Sequence, residues 1–256
     1  MSASSASRRL ISVSKYKVFL FDIEGTTTPI VFVANTLFPY IRNTLQNYLS
    51  QTWNEEQTRN DVRALREQAE KDKHDENFKD APLIDPESQQ SIIDNVFYNM
   101  NKDRKMTALK QLQGHMWKSG YENGQLRGEL YDDAFHFFER IRDHSCKIYI
   151  YSSGSVQAQK LLFQYSTHGN LLPFISDHFD TSNIGNKLEK ESYEKIVDKI
   201  GVNKSEILFL TDNIGEAEAA REAGVDAVLS VRPGTKALPE NHTFEAVTSF
   251  NDLEFC

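Results

Sequence analysis

Four short apolar runs recur along the chain, and the first three end in acids or hydroxyl residues. They are Lys17–Asp22, Lys147–Ser153, Glu206–Asp212 and Asp226–Val231. Runs this short, rich in aliphatic and aromatic residues and bounded by Gly and Pro, are typical of buried parallel strands. We therefore predict four strands of one buried sheet.

Helical patterns separate the last three of these strands. They cover residues 155–163, 189–200 and 214–223, and the second places Tyr193 and Ile196 on one face. Strands that alternate with helices imply an α/β fold, a Rossmann-like core in which crossover helices join parallel strands. Ligands of such folds bind beyond the carboxyl ends of the strands, where the acids and hydroxyls of the first three runs fall.

The region between the first two runs has a different, wholly helical pattern. Asn54 and Gln57 are predicted to cap one of its helices, and the polar stretch 71–86 is predicted to be a loop. The apolar positions at helical spacing are Leu37, Ile41, Leu45 and Tyr48, then Val62, Leu65 and Ala69, then Met106, Leu109, Leu112 and Met116. We predict an α/β core of residues 1–32 and 131–256, with residues 33–130 inserted as an all-helical cap, or lid.

Composition excludes several classes of protein. The 256 residues carry a formal net charge of -8, which argues against nucleic acid as a partner. No apolar run approaches the roughly 20 residues that span a bilayer, so no membrane role is expected. Only two cysteines, Cys146 and Cys256, are present, which favours a reducing compartment without disulfides. The Ser-rich start is predicted to be a terminal tail rather than an organelle presequence.

The predicted strand ends bring several oxygen-bearing side chains together. Asp22 and Glu24 come from the first strand, Ser152 and Ser153 from the second, and Asp212 from the third. Carboxylates that share a pocket repel one another unless a cation lies between them. Such hard oxygen ligands suit Mg²⁺, and a carboxylate can also attack phosphorus directly. The pattern therefore favours a magnesium-dependent phosphatase that uses a carboxylate nucleophile.

The order of these residues resembles that of the haloacid dehalogenase-like phosphatases. In that superfamily an apolar strand ends in D-x-[DE]-G-T, and a strand ending in Ser, a Lys and a strand ending in an acid follow. Here these are Asp22, Ser152, Lys187 and Asp212. Most members have Asp two residues after the nucleophile, where this chain has Glu24.

More specific motifs resemble the enolase-phosphatase E1 family of methionine salvage, also called acireductone synthases. They extend from Val18 to Phe250 and read DIEGTTTPI, ALKQLQGHMW, IYIYSSGS, AQKLLF, HFDT and ILFLTD. Members of this family enolise 2,3-diketo-5-methylthiopentyl-1-phosphate and then dephosphorylate it to the acireductone 1,2-dihydroxy-3-keto-5-methylthiopentene. The resemblance implies the same reactions here, with that diketone phosphate as the substrate and with a cytoplasmic location, the nucleus being a second one.

The resemblance also implies roles for individual residues. Asp22 is expected to be the nucleophile and a ligand of one Mg²⁺ per subunit, and Asp212 to be another ligand. Glu24 contacts the metal through its side chain or backbone, or transfers protons as an acid/base; both roles stay open at this point.

The phosphate of the substrate is expected to have its own set of partners. The hydroxyl and backbone N–H groups of Ser152 and Ser153 are expected to bind it. Lys187 is expected to pair either with the phosphate or with Asp22. Asn213 and Glu216 support Asp212 or simply begin a helix.

Two other functions compete with this interpretation. The first is a phosphatase of the same superfamily that acts on another small phosphorylated metabolite without enolising it. The second is a non-catalytic scaffold on a degenerate core, which the intact acids and Lys187 argue against. His115, in the cap, is expected to be a hydrogen-bonded packing residue rather than a proton carrier. We expect a monomer, with lid hinges near 31–35 and 128–131.

Overall fold

A six-stranded, fully parallel sheet forms the centre of the computed structural model, in the order β4-β3-β2-β5-β6-β7. The structure describes residues 10–256, so the predicted tail at 1–9 lies outside the described residues. The strands of this sheet are β2 (Val18–Phe21), β3 (Lys147–Ser152), β4 (Ile175–Asp180), β5 (Ile207–Thr211), β6 (Asp226–Ser230) and β7 (Glu245–Val247). A second, two-stranded parallel sheet pairs β1 (Ile11–Ser12) with β8 (Leu253–Glu254).

Helices supply most of the remaining regular structure. The α-helices are α1 (Phe38–Thr52), α2 (Glu56–Asp72), α3 (Gln89–Asn101), α4 (Thr107–Glu122), α5 (Asp132–Asp143), α6 (Val156–Gln164), α7 (Lys190–Ile200) and α8 (Ile214–Glu222). A π-helical turn, Val33–Leu37, precedes α1. Among residues 10–256, no helix is long and apolar enough to cross a membrane.

The alternation of side chains along β2 gives the sheet two apolar faces. Phe19 and Phe21 point to one face, where their rings lie 5.4 and 6.1 Å from the ring of Phe137 in α5. Val18 and Leu20 point to the other face and belong to the core cluster that includes residues of α7 and α8. All four β2 residues are buried, which explains why the strand reads as a continuous apolar run. The predicted α/β fold with a parallel sheet is confirmed.

The chain divides into two compact units. One joins the described residues up to Val33 with Arg127–Cys256 and contains both sheets, and the other is Ala34–Leu126. The second unit contains α1–α4 around its own apolar core, in which Ile41, Leu65 and Leu112 are fully buried. The boundaries drawn from the sequence and the role of the helical unit as a lid stay predictions.

The predicted cap of α2 is wrong. The N-cap residue is Glu55 rather than Asn54, and its side chain makes no capping hydrogen bond. The backbone carbonyl of Asn54 instead accepts a hydrogen bond from the guanidinium of Arg59. Gln57 accordingly lies one position too early to complete a capping box, because the box needs its Glu or Gln at the third helical position.

Candidate active site

Asp22 lies at the carboxyl end of β2, in the middle of the parallel sheet. Its backbone N–H donates to the carbonyl of Leu210 in β5 at 2.9 Å, so the pairing with β5 continues through this residue. β3 flanks β2 on the other side, with Phe21 opposite Ile150. The side chain of Asp22 is buried. A carboxylate is therefore held at the edge of the sheet where α/β folds bind their ligands.

The turn after Asp22 is tight and depends on Gly25. This residue has φ +71°, in the left-handed region that favours glycine. Its N–H donates to the carbonyl of Thr28 at 2.8 Å, and the hydroxyl of Thr27 lies 3.3 Å from the carbonyl of Asp22. A Cβ atom on Gly25 would lie 2.5 Å from Oδ2 of Asp212, so this carboxylate packs directly against the turn.

Lys187 connects two carboxylates beneath the site. Its Nζ lies 2.6 Å from Oδ1 of Asp22 and 2.7 Å from Oε2 of Glu216, and the residue is only 6% exposed. Burial alone would lower the pKa of Lys187, but the charges of Asp22 and Glu216 outweigh burial and raise the pKa. Lys187 is therefore a permanent cation at this position.

The loop that carries Lys187 is held by hydrogen bonds to its backbone. The carboxylate of Asp180, at the end of β4, accepts from the N–H groups of Ser182 and Asn183 at 2.8 and 2.9 Å. The phenol of Tyr151 donates to the carbonyl of Gly185, and the phenol of Tyr193 donates to the carbonyl of Lys187 itself, both at 2.8 Å. The loop that presents Lys187 to Asp22 is therefore held in place by the side chains of Asp180, Tyr151 and Tyr193.

The two other acids of the site, Asp212 and Glu216, both have raised pKa values. Burial, and then the negative charge of Asp22, raise the pKa of Asp212 to about 6. The same two causes raise the pKa of Glu216, although Lys187 opposes them. Glu216 also accepts a hydrogen bond from the hydroxyl of Thr211 at 2.8 Å. Three acids around one lysine leave an excess of negative charge, which a divalent cation at Asp22 and Asp212 would relieve.

The number of carboxylates limits how such a cation can be held. Within residues 10–256, no group of three or more His, Cys, Asp or Glu side chains is arranged to hold a metal ion. Mg²⁺ does not need one, because it usually keeps several waters and takes one or two carboxylates plus a substrate phosphate. Asp22 and Asp212 fit that requirement. Glu24 is half-buried, and its backbone forms a bridge with Thr28.

The two serines differ in their surroundings. Ser152 is the last residue of β3 and is buried, and its hydroxyl accepts from the N–H of Gly154 at 3.4 Å. Ser153 is exposed. Neither serine caps α6, because the N-cap is Ser155, whose hydroxyl accepts from the N–H of Ala158. The hydroxyls at 152 and 153 are thus not used as helix caps.

Comparison with known proteins assigns the family. A family model described as haloacid dehalogenase-like hydrolase matches residues 16–224. An enolase-phosphatase E1 of Naegleria gruberi is 72% identical over 246 residues, which are 96% of this chain and 98% of that protein. An enolase-phosphatase E1 of Danio rerio is 48% identical, over 93% of this chain and 94% of that protein.

The chain belongs to the enolase-phosphatase E1 family of haloacid dehalogenase-like hydrolases. A crystal structure of the UTR4 protein of Saccharomyces cerevisiae has the same fold, with a TM-score of 0.75 and 34% identity over 92% of this chain and 99% of that one. The resemblance drawn from the sequence motifs and the prediction of a phosphatase enzyme are confirmed.

Glu216 and Asp180 make contacts around the site that were not predicted from the sequence. Glu216 was expected to support Asp212 or to begin a helix, and it forms an ion pair with Lys187 instead. Asp180 lies in the quoted motif HFDT, but no role was predicted for it. The only signal for Glu216 was its spacing from Asp212, which puts it in the first turn of α8, and Asn213 is the residue that caps this helix.

Proposed function

We propose that this chain enolises 2,3-diketo-5-methylthiopentyl-1-phosphate and then hydrolyses the phosphate ester, with Asp22 as the nucleophile. The observation that carries the proposal is the contact between Lys187 and Asp22, at 2.6 Å, beside Asp212. Lys187 holds Oδ1 of Asp22 and so orients the carboxylate for attack on phosphorus. The names and high identity of the relatives in Naegleria gruberi and Danio rerio support the choice of reaction.

The phosphoryl transfer divides into two displacements. A carboxylate oxygen of Asp22 forms a bond to phosphorus, the ester P–O bond breaks, and Glu24 protonates the departing oxygen. Glu24 then takes a proton from water, whose oxygen attacks phosphorus and breaks the bond to Asp22, which releases phosphate. Glu24 is assigned to proton transfer because it lies two residues after the nucleophile, in the tight turn beyond β2, and is only half-buried.

The charges of the substrate phosphate need partners in both displacements. Lys187 neutralises part of this charge, and the turn at Ser152 and Ser153 offers hydroxyl and N–H donors. Asp22 and Asp212 would hold one Mg²⁺ per subunit, which when bound supplies Lewis-acid stabilisation of phosphoryl and enolate oxygens. Glu216 acts on the reaction through Lys187 and is a positioning residue.

The proposal is tested with the diketone phosphate in the presence of Mg²⁺. Wild-type protein is expected to give a transient enol absorbance, then acireductone and free phosphate, and Asp22→Asn is expected to release no phosphate. Phosphate release without any enol signal would leave a phosphatase for another metabolite. Equal release from wild type and Asp22→Asn would contradict the assigned nucleophile, and none from either would favour a scaffold.

The sequence also predicted a monomer, a cytoplasmic location with the nucleus as a second one, and no nucleic-acid or membrane partner. These stay predictions. The small phosphorylated substrate follows from the proposed reaction.

A further inference from the structure

A buried amide lies directly behind the turn that follows β3. Gln159, on α6, is 2% exposed. Its Nε2 donates to the carbonyls of Gly154 and Phe179, at 2.8 Å each. Its Oε1 lies 3.2 Å from Nδ1 of His178. Because both donors of the amide are used by carbonyls, Oε1 must accept, and His178 therefore carries its proton on Nδ1.

These hydrogen bonds determine the orientation of one peptide group in the turn. The carbonyl of Gly154 is drawn inward, toward Gln159. Peptide bonds are planar, and none is cis in the described chain, so the N–H of Ser155 in the same peptide points the opposite way. The N–H of Gly154 turns toward the hydroxyl of Ser152. A carbonyl that pointed outward instead would repel a phosphate oxygen.

A second anchor holds the other side of the same turn. Oδ2 of Asp180 accepts from the N–H of Val156 at 2.9 Å, while its Oδ1 binds the loop that leads to Lys187. Asp180 belongs to β4, and so does Phe179, whose carbonyl accepts from the side chain of Gln159. The turn after β3 is thus clamped to β4 by one carboxylate and one amide.

We propose that Gln159 is a positioning residue for the substrate phosphate: it keeps the Gly154 carbonyl out of the site and the turn at 152–155 in its anion-accepting shape. The inference rests on the proposed function, in which this turn binds the phosphate. Burying an amide costs free energy unless its hydrogen bonds are made, and an apolar side chain would pack α6 against β4 without that cost. A buried amide at this position is therefore explained by the two hydrogen bonds that it donates to the carbonyls of Gly154 and Phe179.

Gln159→Glu is the sharpest test, because it preserves the shape and the acceptor that faces His178 and removes the two donated bonds. The matched control is Phe163→Leu, which shortens another buried side chain of α6, beside Phe138 and His178, and keeps the amide of Gln159 that donates both bonds. Gln159→Met removes the whole amide and provides a second variant should Gln159→Glu fold poorly. KM and kcat are measured with the diketone phosphate, and the affinity for inorganic phosphate is measured by calorimetry.

Both Gln159 variants are expected to raise KM and the dissociation constant of inorganic phosphate about tenfold, which is the effect of losing one hydrogen bond to a charged group. The value of kcat is expected to change less than about threefold. Phe163→Leu is expected to lower stability and leave both constants unchanged. Unchanged constants in the Gln159 variants, or an equal rise in Phe163→Leu, would overturn the inference. If wild type binds phosphate without turnover and Gln159→Glu weakens that binding, the proposed function fails while the inference stands. If wild type binds no phosphate, both fail.

Discussion

Nζ of Lys187 lies 2.6 Å from Oδ1 of Asp22, although the two residues are 165 positions apart in the chain. The pair is buried, and Glu216 of α8 forms a second ion pair with the same Nζ. Three separate segments of the α/β unit therefore meet at one ammonium group. Removing any member changes both the folding free energy and the charge of the site, so stability and activity can be separated only with matched controls.

Replacing Lys187 by Met is expected to lower the free energy of unfolding by about 3 kcal/mol, because two buried carboxylates lose their cation. Phosphate release should fall at least about a hundredfold, the typical effect of removing one transition-state charge partner. Urea unfolding in EDTA measures the stability change without any compensating metal ion. Lys190→Ala is the control, since Lys190 pairs with Glu194 at the surface. A variant with wild-type stability and activity would show that the ion pair is incidental.

Replacing Glu216 by Gln removes one of the negative charges around Lys187. The site then attracts a divalent cation less strongly, so about tenfold more Mg²⁺ should be needed for half-maximal activity. A titration of phosphate release against Mg²⁺ measures this shift. Glu218→Gln is the control, because Glu218 is an exposed residue of the same helix. Equal midpoints for both variants would contradict the electrostatic account of Glu216.

Gly25→Ala separates backbone strain from a clash in the site. Gly25 and Gly201 have φ values of +71° and +72°, so alanine is equally strained at both, by roughly 1 kcal/mol. Only at Gly25 would the new Cβ meet Oδ2 of Asp212, whereas nothing lies within 4 Å of a Cβ at Gly201. Gly25→Ala should lose more stability than Gly201→Ala in urea unfolding, because it adds this clash to the same strain, and only Gly25→Ala should lose phosphatase activity. Comparable activity in the two would mean that Asp212 can move without consequence.

The sequence predicted the sheet well where strands are buried on both faces. β2 and β5 are uniformly buried, and their apolar runs were recognised. β4 was missed because its first three residues are not buried and include Ser176 and Asp177. α3 was also missed, although Ile92, Ile93 and Val96 are buried at helical spacing within its Asn- and Gln-rich sequence.

The site was predictable only as far as strand ends determine it. Asp22 and Asp212 follow strands, and parallel strands bring their carboxyl ends to one edge. Lys187 comes from a loop, so composition alone favoured a surface residue, and the family resemblance was needed to select it. The hydrogen bonds of Gln159 and Asp180 depend on how α6 docks on β4, and no local pattern encodes that packing.

The stability of the fold should depend on pH through His178. Burial, and then the nearby charge of Lys160, lower the pKa of this imidazole from 6.5 to about 4, while Asp177 acts in the opposite direction. Between these two values the unfolded chain binds a proton that the folded chain does not, so stability falls as pH falls from about 6.5 toward 4. At pH 5 the loss relative to pH 8 should be about 2 kcal/mol from this residue.

His178→Asn isolates that contribution from the titration of carboxylates. The side-chain amide of Asn can still donate to Oε1 of Gln159, as Nδ1 of His178 does, but it does not titrate. Urea unfolding of both proteins at pH 8 and pH 5 gives the difference between their pH dependences. We expect the wild type to lose about 2 kcal/mol more than the variant over this range, because only its buried imidazole resists protonation. Parallel losses in the two proteins would mean that His178 becomes protonated in the folded state at little cost, and that the hydrogen bond to Gln159 does not hold it neutral.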